Sequence, residues 1–232
     1  DGDLPVTALW HHHAHAAALA AEWGDDGPLA VFAWDGVGLG PDGTLWGGET
    51  LLGRPGDWQR VASLRPFRPP GGARVAREPW RSACALAWES GHPAAVGEPA
   101  AVAVARRAWE RGINAPATSA VGRLFDGVAA FVAGLAMTGY EAEAPMCLEA
   151  LAAGWRGEAV PVVLPVARDA TGLRRLDWAP LVALAQDAAR APGERAAVFH
   201  ASLAHAIHAE CRRLRTEHGV ATVGLAGGVF QN

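Results

Sequence analysis

Apolar residues recur at helical spacing along much of the chain. The clearest case is the segment 120–135, where Leu124, Val128 and Leu135 fall on one face. Other segments follow the same period or consist mainly of strong helix formers. The pattern predicts helices at residues 11–23, 81–89, 98–111, 120–135, 141–153, 181–189 and 194–218.

Shorter apolar runs lie between these helices and have the length of strands. Residues 29–34 form a continuous apolar run, followed by a loop or hairpin at 35–43 and a returning strand at 44–52. A hairpin is predicted around "RDATG", between 160–166 and the segment after Arg168. The last segment, "VATVGLAGGVFQN", is predicted as a strand that enters a glycine turn. Mixed strands and helices of this kind indicate an α/β fold.

Composition narrows the class of protein. Half of the 232 residues are apolar, 19% are charged, and the net charge is −4, as expected of a globular protein. No apolar run reaches the length of a membrane span, and the arginines are scattered, so we expect neither a membrane nor a nucleic-acid partner. The three cysteines are far apart, which favours a reducing cytoplasm. The start without Met and the stop after the glycine turn suggest a piece of a longer protein.

Four histidines stand in "HHHAH" at the start of the first predicted helix. His11 and His15 are four residues apart, so on a helix both imidazoles face the same way and could hold one metal ion. The alternative is a helix that begins with exposed histidines; a purification tag would not continue into a helical alanine run. Two histidines need a third ligand, commonly a carboxylate. His12 and His13 are expected to line or support the site.

Acidic residues beside glycines supply further candidates. Asp35 ends an apolar strand and could hold a metal or contact a phosphate, and Gly36 and Gly38 after it let the backbone approach a ligand closely. The alternative is a plain hairpin turn. Asp126 and Glu141 are either solvated helix residues or contacts to a ribose. The glycine turn at 226–232 offers backbone N–H groups, and His205 and His208 are interpreted as helix-surface residues.

Six segments follow one another along the chain: "HHHAHAAALAAEWG", "DGVGLGPDGTLWGGE", "RPFRPPGGARVAREPWR", "TSAVGRLFDGVAA", "GYEAEAPMCLEALA" and "LAGGVFQN". Together and in this order they resemble the C-terminal part of the HypF-type carbamoyltransferases of nickel–iron hydrogenase maturation. The resemblance implies a two-lobed actin/hexokinase-like (ribonuclease H-like) fold, incomplete at both ends. The expected division is a part of the first lobe at 1–65, a connection with helices at 66–115, and a truncated second lobe at 116–232.

The resemblance also implies a reaction and its residues. The family uses carbamoyl-adenylate, made from carbamoyl phosphate and ATP, to carbamoylate the C-terminal cysteine of HypE; the domains that make the adenylate lie upstream. Asp35 is then the catalytic residue, and His11 and His15 hold a divalent metal, iron or zinc. The residues implied for the nucleotide and its phosphate are Gly36, Gly38, Gly122, Asp126, Glu141, Gly227, Gly228 and Asn232.

The chain departs from the family pattern at four positions, where Ala73, Ala142, Glu143 and Ala226 stand. A further acidic metal ligand of the family is expected beyond Asn232. The alternatives are therefore a related O-carbamoyl or tRNA threonylcarbamoyl transferase, or an inactive nucleotide-binding fragment.

Overall fold

A mixed β-sheet forms the centre of the protein. The computed structural model of the 232-residue chain describes residues 8–24, 27–94 and 96–231. Within these ranges the strands are β1 Leu29–Leu39, β2 Leu45–Arg54, β3 Asp57–Leu64, β4 Val166–Arg168, β5 Arg174–Leu176 and β6 Thr222–Ala226. Their order in the sheet is β4-β5-β3-β2-β1-β6. The first three strands are antiparallel neighbours, whereas β6 is parallel to β1 and β5 is parallel to β3.

Helices cover both faces of this sheet. They are α1 His11–Trp23, α2 Pro79–Ser90, α3 Pro99–Glu110, α4 Val121–Ala133, α5 Glu143–Gly154, α6 Ala179–Gln186 and α7 Pro192–His218. Because side chains alternate between the two faces of a strand, β1 contributes to two hydrophobic cores. Phe32 and Trp34 belong to a large core with α4 to α7, and Val31 and Ala33 pack against α1. None of the described helices is both long enough and apolar enough to cross a membrane.

Small residues let α1 lie close to the sheet. His12, Ala16 and Ala20 are four residues apart and form its buried stripe. The stripe beside it carries His11 and His15. The helix ends at Gly24, which adopts the left-handed conformation typical of a helix stop (φ 72°).

Most predicted elements are confirmed, with ends that shift by up to a few residues. The segment 35–43 was predicted as a loop or hairpin, and the hairpin is confirmed. Its turn begins only at Gly40, because β1 continues through Leu39. The structure adds β3, which the pattern missed because its outer half is polar. Of the segment 160–166 only Val166 pairs, in the short β4.

Two acidic positions also differ from the sequence interpretation. Asp126 was expected to be solvated by default, yet it is buried, because α4 packs against the core on several sides. Glu141 was placed in a helix, but α5 begins at Glu143, and Glu141 lies in the exposed turn before it. The division at 1–65, 66–115 and 116–232 stays a prediction; the sheet takes its strands from the first and third of these ranges.

Candidate metal and anion site

A bulge in β1 brings Asp35 to the start of α1. Trp34 pairs with Gly48 and Gly38 with Trp46, so β1 holds two more residues than β2 across this stretch. Gly38 is required there, because a Cβ at this position would lie 2.7 Å from His11 Cδ2 and 2.8 Å from His12 Cε1. The first turn of α1 thus rests directly on the bulge.

Three side chains converge at this point: His11, His15 and Asp35. Asp35 Oδ2 lies 2.8 Å from His11 Nε2 and 3.4 Å from His15 Nε2, and the two nitrogens are 3.2 Å apart. We call this group the triad. Burial acts to raise the pKa of Asp35, but hydrogen bonds from His11 and from the backbone N–H groups of Gly36 and Gly228 outweigh it and lower the pKa.

The three contacts of the triad cannot all be hydrogen bonds at once. An ionised Asp35 carries no proton, so each histidine nitrogen must donate to satisfy its contact with Oδ2. If both nitrogens donate, their mutual contact at 3.2 Å joins two donors; if one accepts, its lone pair faces the carboxylate. A cation between the three atoms resolves this conflict. Contacts of 2.8–3.4 Å also match the edges of a coordination shell with metal–ligand distances of about 2.0–2.2 Å.

His12 stands beside the triad as a neutral, buried residue. It is fully buried, and neither ring nitrogen has a hydrogen-bond partner among the described residues. Burial, and then the neighbouring His11, lower its pKa to about 4. His13 is further out, with its ring 5.9 Å from that of Trp46. His12 therefore lies against the triad, with its ring 5.1 Å from that of His11, whereas His13 packs near Trp46. That both residues line or support a metal site stays a prediction.

The predicted anion residues surround Asp35 from two directions. The turn after β6 approaches from one side: Gly228 N–H donates to Asp35 Oδ1 at 3.3 Å, and a Cβ on Gly227 would meet Trp34 O at 2.1 Å. The start of α4 approaches from the other side, where a Cβ on Gly122 would lie 2.9 Å from Gly36 Cα. Glycine at these positions permits backbone contacts that any side chain would block.

The remaining predicted residues are not all part of this cluster. Asp126 lies one turn into α4, 2.8 Å from Arg123 Nη1, and burial raises its pKa to about 6, although Arg123 acts to lower it. Glu141 is exposed, and no hydrogen bond or ion pair joins it to the triad within the described ranges. Asn232 lies outside the described residues.

Arg123 was not singled out from the sequence, although its guanidinium lies beside Gly36, the residue after Asp35. Its Nη2 lies 4.0 Å from the position of a Cβ on Gly36. The only signal was its place in "GRLFDG", one residue after Gly122. A lone arginine at a helix start is too common to stand out.

A separate groove of about 640 Å³ lies over β3 and β5, beside the end of α7. Five arginines line the groove, and four of them form ion pairs with carboxylates: Arg60, Arg174, Arg175 and Arg213. The fifth, Arg168, donates to a backbone carbonyl. The groove therefore offers less unpaired charge than its composition suggests, and the triad is the stronger candidate site.

Comparison with known proteins places the chain in a family. Residues 31–232 match the family described as carbamoyltransferase, Kae1-like domain, second subdomain. The chain therefore belongs to this family of carbamoyltransferases. The resemblance to the C-terminal part of HypF proteins is confirmed in the same way.

The relatives are HypF proteins. The chain is 45% identical to the carbamoyltransferase HypF of Rhodobacter capsulatus, over 99% of this chain and 31% of the relative. It is 40% identical to a carbamoyltransferase HypF homolog of Cupriavidus necator, over 99% of this chain and 61% of the relative. The chain thus spans about a third to three fifths of these proteins.

Solved structures confirm the fold. The chain superimposes on full-length HypF, solved in a phosphate- and nucleotide-bound form, with a TM-score of 0.88 and 25% identity, over 99% of this chain and 37% of that one. HypF of T. kodakarensis gives a TM-score of 0.82 at 28% identity, over 98% and 31%. The α/β class and the actin/hexokinase-like fold expected from the sequence are thereby confirmed.

Proposed function

We propose that the protein transfers a carbamoyl group from carbamoyl-adenylate to the C-terminal cysteine of a HypE-type protein. The observation that carries the proposal is the triad, whose three atoms at 2.8–3.4 Å are arranged for a cation that would lie beside a phosphate. Membership of the carbamoyltransferase family supports the reaction class. The relatives named HypF support the link to hydrogenase maturation.

His11, His15 and Asp35 would hold a divalent metal. Two imidazoles and one carboxylate suit iron or zinc and leave coordination positions open for a substrate. Such an ion, when bound, offsets phosphate charge and polarises a carbonyl oxygen. The chain's own residues prepare the ligands: Gly228 N–H holds Oδ1 of Asp35, which leaves Oδ2 for the histidines.

The nucleotide would lie between the glycine turns on either side of Asp35. The backbone at Gly36 and Gly227–Gly228 can approach a phosphate closely, because no Cβ stands in the way. A solved HypF in a phosphate- and nucleotide-bound form supports a ligand of this kind. In the transfer step, the thiolate sulfur of the acceptor attacks the carbamoyl carbon. The bond from that carbon to the phosphate oxygen breaks, and AMP leaves.

The acceptor and the source of the adenylate lie outside the chain. The Rhodobacter relative is about three times as long as this chain, which leaves room for domains that make carbamoyl-adenylate. A cytoplasmic location is part of the same proposal.

The direct test uses the complete product of the gene that encodes this chain. It is supplied with ATP, ¹⁴C-carbamoyl phosphate and a HypE-type protein, and label on the acceptor is measured. We expect label that is lost when the terminal cysteine is replaced by serine. His11→Ala/His15→Ala should remove the activity, whereas the matched pair His205→Ala/His208→Ala on α7 should retain it. Absence of label with a folded, nucleotide-binding protein would contradict the proposal.

A further inference from the structure

Arg123 stands at the boundary between the triad and the start of α4. The helix begins at Val121, and its second residue, Gly122, packs against the backbone of Gly36, directly after Asp35. This contact fixes where the following side chain can lie. Arg123 Nη2 is 4.0 Å from the position of a Cβ on Gly36. The guanidinium therefore lies beside the backbone of Gly36, the residue that follows Asp35.

The guanidinium of Arg123 is largely buried, and few of its N–H donors have a partner in the part of the chain that the structure describes. Its side chain is 18% exposed, and its nearest carboxylate oxygen is Asp126 Oδ2, 2.8 Å from Nη1. That contact lacks the alignment of a hydrogen bond, and Nε and Nη1 are both buried without a hydrogen-bond partner among the described residues. Burying a guanidinium in this way costs free energy that one misaligned ion pair recovers only in part.

Arg60 and Arg174 also keep a buried Nε without a partner among the described residues, but each donates at least one aligned hydrogen bond to a carboxylate. Arg60 donates to Glu49 at 2.8 Å, and Arg175 donates to Asp169 at 2.8 Å. Arg213 donates hydrogen bonds to both Glu210 and Glu217. Arg123 thus lies near the triad with N–H donors that the described part of the chain holds in place but does not pair.

We propose that Arg123 binds the phosphoryl group of the nucleotide beside the triad, with Asp126 as the residue that positions its guanidinium. The proposal rests on the proposed function and names the contact that recognises the substrate's anion. A guanidinium matches phosphate because its donors form a planar fork. The start of α4 adds to the attraction, since it has no side-chain cap and no acidic residue in its first turn.

The test compares AMP with adenosine by calorimetry on the complete gene product. A chelator is present throughout, so that no metal contributes to phosphate binding. The variant Arg123→Gln/Asp126→Asn replaces the pair by two neutral amides of similar size and leaves no buried charge uncompensated. The matched control is Arg213→Gln/Glu210→Gln, a second buried pair three residues apart, on α7. Thermal unfolding checks that each variant is folded.

The wild type should bind AMP more tightly than adenosine. The Arg123→Gln/Asp126→Asn variant should lose about ten-fold or more of this preference, since hydrogen bonds to a charged group are the strong ones. The control variant should bind both compounds as tightly as the wild type does. An undiminished preference for AMP in the folded double variant would overturn the role of Arg123 alone. A wild type that binds neither compound would overturn the nucleotide part of the proposed function with it.

Discussion

Replacing Gly38 by alanine would place a Cβ against His11, a member of the triad, and against the neighbouring His12. The added Cβ would lie 2.7 Å and 2.9 Å from two atoms of His11 and 2.8 Å from one atom of His12. Ordinary contacts between carbon atoms are about 3.5–4.0 Å, so the imidazoles must move by about 1 Å. His12 is fully buried and has little room to move. Overpacking of this kind costs about 1–3 kcal/mol of folding free energy.

The same displacement should weaken metal binding. His11 Nε2 lies 2.8 Å from Asp35 Oδ2, and a shift of about 1 Å breaks the match between the ligands. The strain is relieved if the start of α1 moves, and this movement carries the histidines away from Asp35. A loss of about 1.4 kcal/mol in the free energy of metal binding corresponds to a ten-fold weaker affinity. We therefore expect Gly38→Ala to bind Zn²⁺ or Fe²⁺ at least about ten-fold more weakly than the wild type, measured by calorimetry.

Gly36 offers a matched control two residues away on the same strand. A Cβ there would meet only Arg123 Nη2, at 4.0 Å, which is an ordinary contact. Gly36→Ala should therefore retain the stability and metal affinity of the wild type. The reasoning is refuted if Gly38→Ala unfolds at the same urea concentration as Gly36→Ala and binds the metal equally well.

Three further substitutions test other parts of the structure. Glu49 is fully buried and accepts hydrogen bonds from Arg60, Ser119 and two backbone N–H groups, so Glu49→Gln should lower the free energy of unfolding by about 3 kcal/mol in urea titrations. Because the pKa of Asp126 is raised to about 6, its neutral form stabilises the protein below about pH 4, and this stabilisation is lost as the pH rises through about 6. Relative to Asp126→Asn, the free energy of unfolding of the wild type should fall by up to about 3 kcal/mol between pH 4 and pH 7. A difference that does not change with pH would contradict the burial argument. Ala142 adopts a left-handed conformation (φ 63°), so Ala142→Gly should raise the unfolding free energy by up to about 1 kcal/mol, and a lower melting temperature would show that no strain is stored there.

Local patterns predicted much of the fold. Helical spacing located α4 and α7, and the apolar run at 29–34 located the buried half of β1. The outer half of β1 was missed because "DGVGLG" is rich in turn-forming residues; there the strand is held by pairing with β2 and by contact with α1, which no local pattern reports. Likewise β3 depends on its neighbours in the sheet.

The candidate site was only partly predictable for the same reason. The spacing of His11 and His15 indicated two ligands, and Asp35 was a candidate for a metal or phosphate contact, but the acidic ligand of the family was expected beyond Asn232. The structure supplies a carboxylate from Asp35, 20 residues after His15, because the bulge in β1 turns it toward α1. The burial of Asp126 and the position of Arg123 follow from how α4 packs, and neither is encoded in the residues next to them.

We expect His11, His15 and Asp35 to hold one divalent ion, and a metal titration measures this. Calorimetry with Zn²⁺ and, without oxygen, Fe²⁺ is carried out on the complete gene product, the His11→Ala/His15→Ala variant and the His205→Ala/His208→Ala control. We expect one ion fewer per chain in the first variant and no change in the second. Equal metal binding by the wild type and the folded His11→Ala/His15→Ala variant would contradict this expectation.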